Sequence, residues 1–359
     1  MKRWVTYLAA LSLSLCLGVS CDTELYFEEC VYSLLIRYDY NEENTTTDNK
    51  ILYWISDIDE YIFDDQGVLL ATRKVTESIC AENLDSEVAL RPGRYSVLAL
   101  GNVDGRSVVW DAATGEAPLV GQTRREDMRM TLRNAEAFPD GTTGPCEELY
   151  YGYRSFSVGE IGQSVVRVDM INAHFQLRFR VTWKNRVHMP DVGNYYAVMG
   201  DTPSQYELMP QYVYLPREFE ALPHDPETQD PYLTRDNRVI HYIPRTAIPD
   251  TNILRHRDST YLNADFEVWG TIVGYRIKSE TNAVLNLYYT GDGDVLTDED
   301  PMVFPHGIDL QQYFDWFQYD LDHELKQEYA IDIVIDGDAI QLAPLEGMSI
   351  ADWSDGGFL

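Results

Sequence analysis

The chain has 359 residues and a formal net charge of −31, with 59 acidic side chains against 28 basic ones. Such a surface repels nucleic acid and anionic lipid head groups, which excludes a nucleic-acid partner. The length accommodates two domains with cores of their own, and 25 Tyr and 12 Phe among recurring Val and Thr favour strands.

In chain order, residues 1–20 read as a secretory leader. Lys2 and Arg3 are followed by a nearly unbroken apolar run from Val5 to Val19, too short to cross a bilayer as a helix. Gly18 and Ser20 then precede Cys21, the layout of a bacterial lipoprotein signal with Cys21 as the acylated residue. Cys16 fits less well because bulky Leu15 precedes it. Attachment to a membrane is expected through lipid alone, since no long apolar segment follows. Residues 21–29 form an acidic tether carrying Asp22, Glu24, Glu28 and Glu29. Cys30, Cys80 and Cys146 remain as disulfide candidates, with all three pairings open.

Strand patterning begins after Cys30. Leu34, Ile36, Tyr38 and Tyr40 alternate with Ser33, Leu35, Arg37 and Asp39, the period of a strand with one buried face. Ile58 to Phe63 makes a second strand. Asp64-Asp65-Gln66-Gly67 turns it into Val68–Thr72. Val88–Leu90 and Tyr95–Leu100 flank Arg91-Pro92-Gly93-Arg94, where Gly93 is expected to supply a left-handed turn position. Met128–Leu132, Leu149–Phe156 and Val165–Met170 complete a first β-sandwich over residues 30–172.

A second sandwich is expected over 173–359. It opens with the clearest alternation in the chain, Phe175, Leu177, Phe179, Val181 and Trp183 on one face. Further strands are read at 195–199, 212–215, 239–243, 266–273, 283–289 and 329–335, with a long surface loop from Leu222 to Asn237. Asp309 caps one short helix whose apolar positions are Leu310, Tyr313, Phe314 and Phe317. Residues 340–359 form a weakly patterned tail. The fold class is therefore all-β, two tandem sandwiches with one short helix in the second.

Nothing in the chain reads as catalytic machinery. The seven histidines are dispersed, with no HExxH, and there is no GxSxG elbow or phosphate-cradling glycine loop, so no enzyme and no cofactor is expected. Asp292, Asp294 and Asp298 could offer oxygen ligands to calcium. However, Leu296 and Thr297 stand where an EF-hand needs Asp or Asn and then Gly, so the stretch reads as a solvated acidic loop. Tyr150, Tyr151 and Tyr153 could form a sugar-stacking platform, although aromatics alternating along strands more often fill a core.

Several of these residues also resemble a known family. Cys30 with Ser33–Asn41, Ile58-x-x-Tyr61-Ile62-Phe63-Asp64 with Gly67, Leu90-x-Pro92-Gly93-x-Tyr95-Ser96-Val97-x-Ala99-x-Gly101-Asn102, and Leu149-Tyr150-Tyr151-Gly152 look like the FimB/Mfa2 family of Bacteroides-type fimbrial anchor proteins. That resemblance implies transthyretin-like, Greek-key sandwiches and a lipoprotein exposed on the outer membrane at the base of a fimbrium. In the Bacteroides group, acidic residues after the lipidated cysteine resemble an export tag for that surface. The implied partner is the stalk subunit, a major fimbrillin, joined by donor-strand exchange, in which one subunit's extended segment fills its neighbour's groove. Leu34, Ile36, Tyr38 and Tyr40 would then close this chain's own first groove and end growth. Ile340, Leu342, Ile350 and Trp353 would form the donor tail. The competing reading is a surface glycan-binding or adhesin lipoprotein on the same scaffold.

Overall fold

The period-2 alternation in the sequence folds into strands that each bury one face. In the computed structural model, the described residues are 33–40, 49–76, 83–133, 142–143, 145–160, 162–183, 194–203, 205–208, 232–234, 238–242, 266–279, 281–291, 297, 299–304, 306–321, 324, 326–336 and 339–345. The first half begins with β1 (Ser33–Asp39), a one-turn helix α1 (Ile51–Trp54), β2 (Asp57–Asp64), β3 (Leu69–Thr76), β4 (Asp85–Ala89) and β5 (Gly93–Gly101). It continues with β6 (Ser107–Asp111), β7 (Met128–Leu132), β8 (Thr142–Thr143), β9 (Tyr150–Val158) and β10 (Ser164–Asn172). The second half holds β11 (His174–Trp183), β12 (Asn194–Thr202), β13 (Gln205–Glu207), β14 (Tyr232–Thr234), β15 (Arg238–Tyr242) and β16 (Phe266–Tyr275). β17 (Val284–Gly291), β18 (Ile308–Asp309), helix α2 (Leu310–Trp316), β19 (Gln327–Asp336) and β20 (Ala339–Pro344) follow. The all-β expectation holds.

Seven strands form the leading sheet in the order β3-β2-β5-β9-β10-β1-β4. This sheet curls until its two edges meet, for the Arg73 guanidinium on β3 donates to the Glu87 carbonyl on β4 at 2.6 Å. The concave side encloses a core of Leu34, Ile36, Tyr38, Ile58, Ile62, Val97 and Val168. The other face carries Tyr61, Phe63, Leu98, Leu100 and Tyr151. It packs on Met128, Met130, Leu132 and Tyr206 of a second sheet, ordered β14-β13-β7-β6.

The other two sheets, β16-β11-β19-β20 and β18-β17-β12-β15-β8, face each other across Phe175, Leu177, Phe179, Leu285, Leu287, Ile331 and Ile333. Helix α2 closes this core with Leu310, Tyr313 and Phe314. Its Asp309 cap forms as expected, the carboxylate accepting from the Gln312 amide at 3.1 Å. Phe317 instead terminates the helix and remains partly exposed.

Strand pairing crosses residue 172 in both directions. β13 and β14, from the second half of the sequence, complete the sheet of β6 and β7, with Tyr206 opposite Met130. β8 runs parallel to β15 in the later sheet. The junction is short, since Ala173 alone separates β10 from β11. The Tyr206 hydroxyl donates to the Ala173 carbonyl at 2.6 Å and accepts the Arg276 amide at 2.9 Å. Its ring lies 4.2 Å from that of Tyr275, centroid to centroid. His174 places a ring nitrogen 3.0 Å from the Leu149 carbonyl, and Lys326 sits over the Trp54 ring.

The Asp64–Gly67 turn is as expected. Gly67 has φ +78°, and Asp64 Oδ1 accepts the amides of Gln66 and Val68. Gly93 corrects the other turn: it opens β5 without a positive φ, and its requirement is space. A Cβ there would come within 3.2 Å of the Tyr95 hydroxyl oxygen, and that hydroxyl donates to the Arg91 carbonyl at 2.8 Å. The expected loop 222–237 contains the strand β14, paired to β13. Part of the expected unpatterned tail is strand β20, while the expected strand at 212–215 lies outside the described residues.

Candidate functional site

β1 occupies a slot between two strands of the leading sheet. It runs parallel to β10, from Leu34 opposite Ser164 to Asp39 opposite Asp169, and antiparallel to β4, from Ser33 opposite Ala89 to Arg37 opposite Asp85. Leu34, Ile36 and Tyr38 are fully buried and Tyr40 nearly so. Each such side chain contributes about 1.5–3 kcal/mol of burial. Val166, Val168, Ser86 and Val88 flank them on the neighbouring strands, and Tyr40 meets Tyr150 edge-on with centroids 4.8 Å apart. Asn49 secures the C-terminal end of β1. Its carboxamide donates to the Tyr38 carbonyl at 2.9 Å and accepts the Tyr40 amide at 3.0 Å.

The slot contains a residue the sequence reading passed over. Glu60 on β2 is fully buried between Ile58 and Ile62, on the side of the sheet that faces β1. The Tyr38 hydroxyl donates to its Oε2 at 2.6 Å, and Ser86 on β4 donates to its Oε1 at 3.2 Å. Desolvation lifts the Glu60 carboxyl above the ordinary carboxylate range, against the opposing pull of those two hydrogen bonds and of Arg73. The clue in the sequence is a charged residue in register with two isoleucines that point inward.

At the opposite end of the chain, β20 pairs with β19 along its length and forms the edge of its sheet. Ile340 is exposed on that edge, while Leu342 packs partly against the core. Ile350 and Trp353 lie outside the described residues, as do Cys21, Cys30, Cys80, Asp292, Asp294 and Asp298. Cys146 is a free, buried thiol. Burial pushes its pKa well up. Among the described residues no group of three or more His, Cys, Asp or Glu is placed to hold a metal ion, and no helix is long and apolar enough to cross a membrane. Tyr150 and Tyr151 do not form a surface platform. They are buried on opposite faces of β9, in two different cores, and only Tyr153 reaches the part-exposed layer, bonded to Arg125 at 2.9 Å.

Solved structures share this architecture. A candidate polysaccharide-binding protein from Bacteroides thetaiotaomicron aligns with TM-score 0.60 and 14% identity, covering 88% of this chain and 98% of its own. A candidate adhesin from Bacteroides ovatus aligns at 0.58 and 13%, covering 88% and 96%. The fimbrial anchor protein Mfa2 from Porphyromonas gingivalis aligns at 0.54 and 14%, also covering 88% and 96%. At these identities the likeness establishes the fold. No curated protein matches the chain in sequence.

Sheets stacked in this way, with the first strand lodged inside the leading one, define an all-β protein of stacked sheets. The chain belongs to the Mfa2 family, described as fimbrillin-A associated anchor proteins Mfa1 and Mfa2, whose family model matches residues 27–354. That membership assigns it a fimbrial role at the cell surface.

Proposed function

We propose that the chain is a lipid-anchored subunit that attaches a fimbrium to the outer membrane and ends its growth. The observation that carries this reading is β1, seated between β10 and β4 with its inward side chains buried. A subunit that receives a neighbour's strand must have an open slot. Here the chain's own N-terminal strand fills it, and the acyl group proposed on Cys21 keeps that end of the chain tethered. The leading domain therefore accepts no further subunit. The stalk is engaged by the C-terminal segment, through main-chain hydrogen bonds to an open neighbour and alternate side chains set in its pockets. Ile340 and Leu342 already pair within β20. The donor role thus falls chiefly to the residues beyond Leu345, with Ile350 and Trp353 as the pocket-filling pair.

Deleting Glu346 to Leu359 leaves the paired part of β20 intact. The expected result is fimbriae shed into the medium from cells that retain the truncated protein at their surface. Fimbriae held as firmly as before would refute donor function for this segment. Metabolic labelling with a palmitate analogue should mark the wild-type protein and leave Cys21→Ser unlabelled. Labelling that persists in the variant would remove the anchor from residue 21.

A further inference from the structure

The slot that holds β1 is apolar apart from one corner. Of the three inward side chains of β1, Leu34 and Ile36 are wholly apolar and fully buried, whereas Tyr38 ends on the buried carboxylate of Glu60 at 2.6 Å. Ser86 supplies the second bond to that carboxylate, at 3.2 Å. Arg73 on β3 is the cation whose field reaches it, but the Arg73 guanidinium is engaged with the Glu87 carbonyl at 2.6 Å. A strand with phenylalanine in place of Tyr38 would fill nearly the same volume and strip Glu60 of its shorter hydrogen bond. Leaving a buried polar group unpaired costs more than an ordinary hydrogen bond contributes. A site built around a substrate hydroxyl accordingly rejects the analogue that lacks one far more strongly than an apolar pocket rejects a missing methylene.

We propose that Glu60, with Ser86, sets the specificity of this slot: it admits an extended segment that carries a hydroxyl donor at the third inward position and refuses a wholly apolar strand. β1 meets that requirement through Tyr38. The inference rests on the reading of β1 as the domain's own closing strand, and it supplies a reason why a neighbour's apolar donor strand does not displace it.

The test uses the full chain with a specific protease site introduced within residues 41–48. After cleavage the N-terminal piece is held without a covalent link and can be exchanged against fluorescent peptides of residues 32–41. The natural peptide and its Tyr38→Phe form are compared by their release rates, followed by anisotropy. The natural peptide is expected to stay at least about tenfold longer on the wild-type chain. The preference should persist with Glu60→Gln, which keeps a carbonyl acceptor, and vanish with Glu60→Leu. Equal release of the two peptides from the wild-type chain would overturn the proposal, as would a tyrosine preference undiminished by Glu60→Leu. Because the variation lies in the peptide, the main comparison does not depend on any variant folding. Selectivity is also read apart from fimbrial retention. Fimbriae retained after deletion of residues 346–359, alongside intact selectivity, would count against the anchoring mechanism alone.

Discussion

Tyr206→Phe removes one oxygen from the junction between the two halves and measures how firmly that oxygen holds it. The hydroxyl donates to the Ala173 carbonyl at 2.6 Å and accepts the Arg276 amide at 2.9 Å. The phenylalanine ring would keep its place against Tyr275, so little packing is lost. What changes is that a buried carbonyl loses a donor and a buried amide loses an acceptor. Each such loss costs about 1–3 kcal/mol in place of the 0.5–1.5 kcal/mol net of an ordinary bond, so about 2–6 kcal/mol is expected for the pair. Urea unfolding followed by tryptophan fluorescence should show the midpoint fall with the slope unchanged. Tyr53→Phe, on a ring that is 85% exposed, is the matched control and should stay within about 0.5 kcal/mol of wild type. If the two variants unfold together, the junction is not held by this hydroxyl and the reasoning fails.

Gly270→Ala should cost about 1–3 kcal/mol, because Phe179 sits opposite Gly270 in register and its ring would lie 2.2 Å from the new Cβ. Thermal melts at the wild-type midpoint would refute the close approach. A second prediction concerns acid. Burial depresses the His174 pKa to about 4, beneath the opposing influence of the Leu149 carbonyl and Glu148 and in concert with Lys326 and Arg276. The unfolded chain therefore binds a proton near pH 6.5 that the folded chain refuses, so this stability is complete above pH 6.5 and is lost as pH falls towards 4, at about 1.4 kcal/mol per unit. The raised carboxyls of Glu60 and Glu328 act in the opposite sense. His174→Gln should flatten the fall between pH 6.5 and 4 in denaturation series, and an unchanged slope would exclude His174 as its source.

Local pattern carried a large share of this architecture. β1 and β11 were legible because large apolar residues recur at every second position, Leu34, Ile36 and Tyr38 in β1 and Phe175, Leu177, Phe179, Val181 and Trp183 in β11. A one-residue slip would move each set to the opposite face. The Asp309 cap and the Asp64 turn were legible because each bond lies within four residues of its donor. What the sequence concealed is long-range. β13 and β14 have three residues each, too few to show a period, and β7, which pairs with β13, lies more than seventy residues earlier in the chain. β20 has only two large apolar residues, since as an edge strand it buries little. Gly93 was read as a turn glycine because Pro92 precedes it, yet the constraint comes from the ring of Tyr95 two residues on. Glu60 was lost among 59 acidic residues because charge alone does not reveal which carboxylate points inward.

The parallel alignment of β1 with β10 has a mechanical consequence. β10 passes into the second half through a single residue, so a pull on the chain ahead of Ser33, resisted by that half, drags the two strands past each other lengthwise in opposite senses. Their six paired positions then strain in unison and do not peel open one by one. Tension of that kind is withstood for a time set by the unfolding barrier, so strands wired this way behave as a stiff link under load.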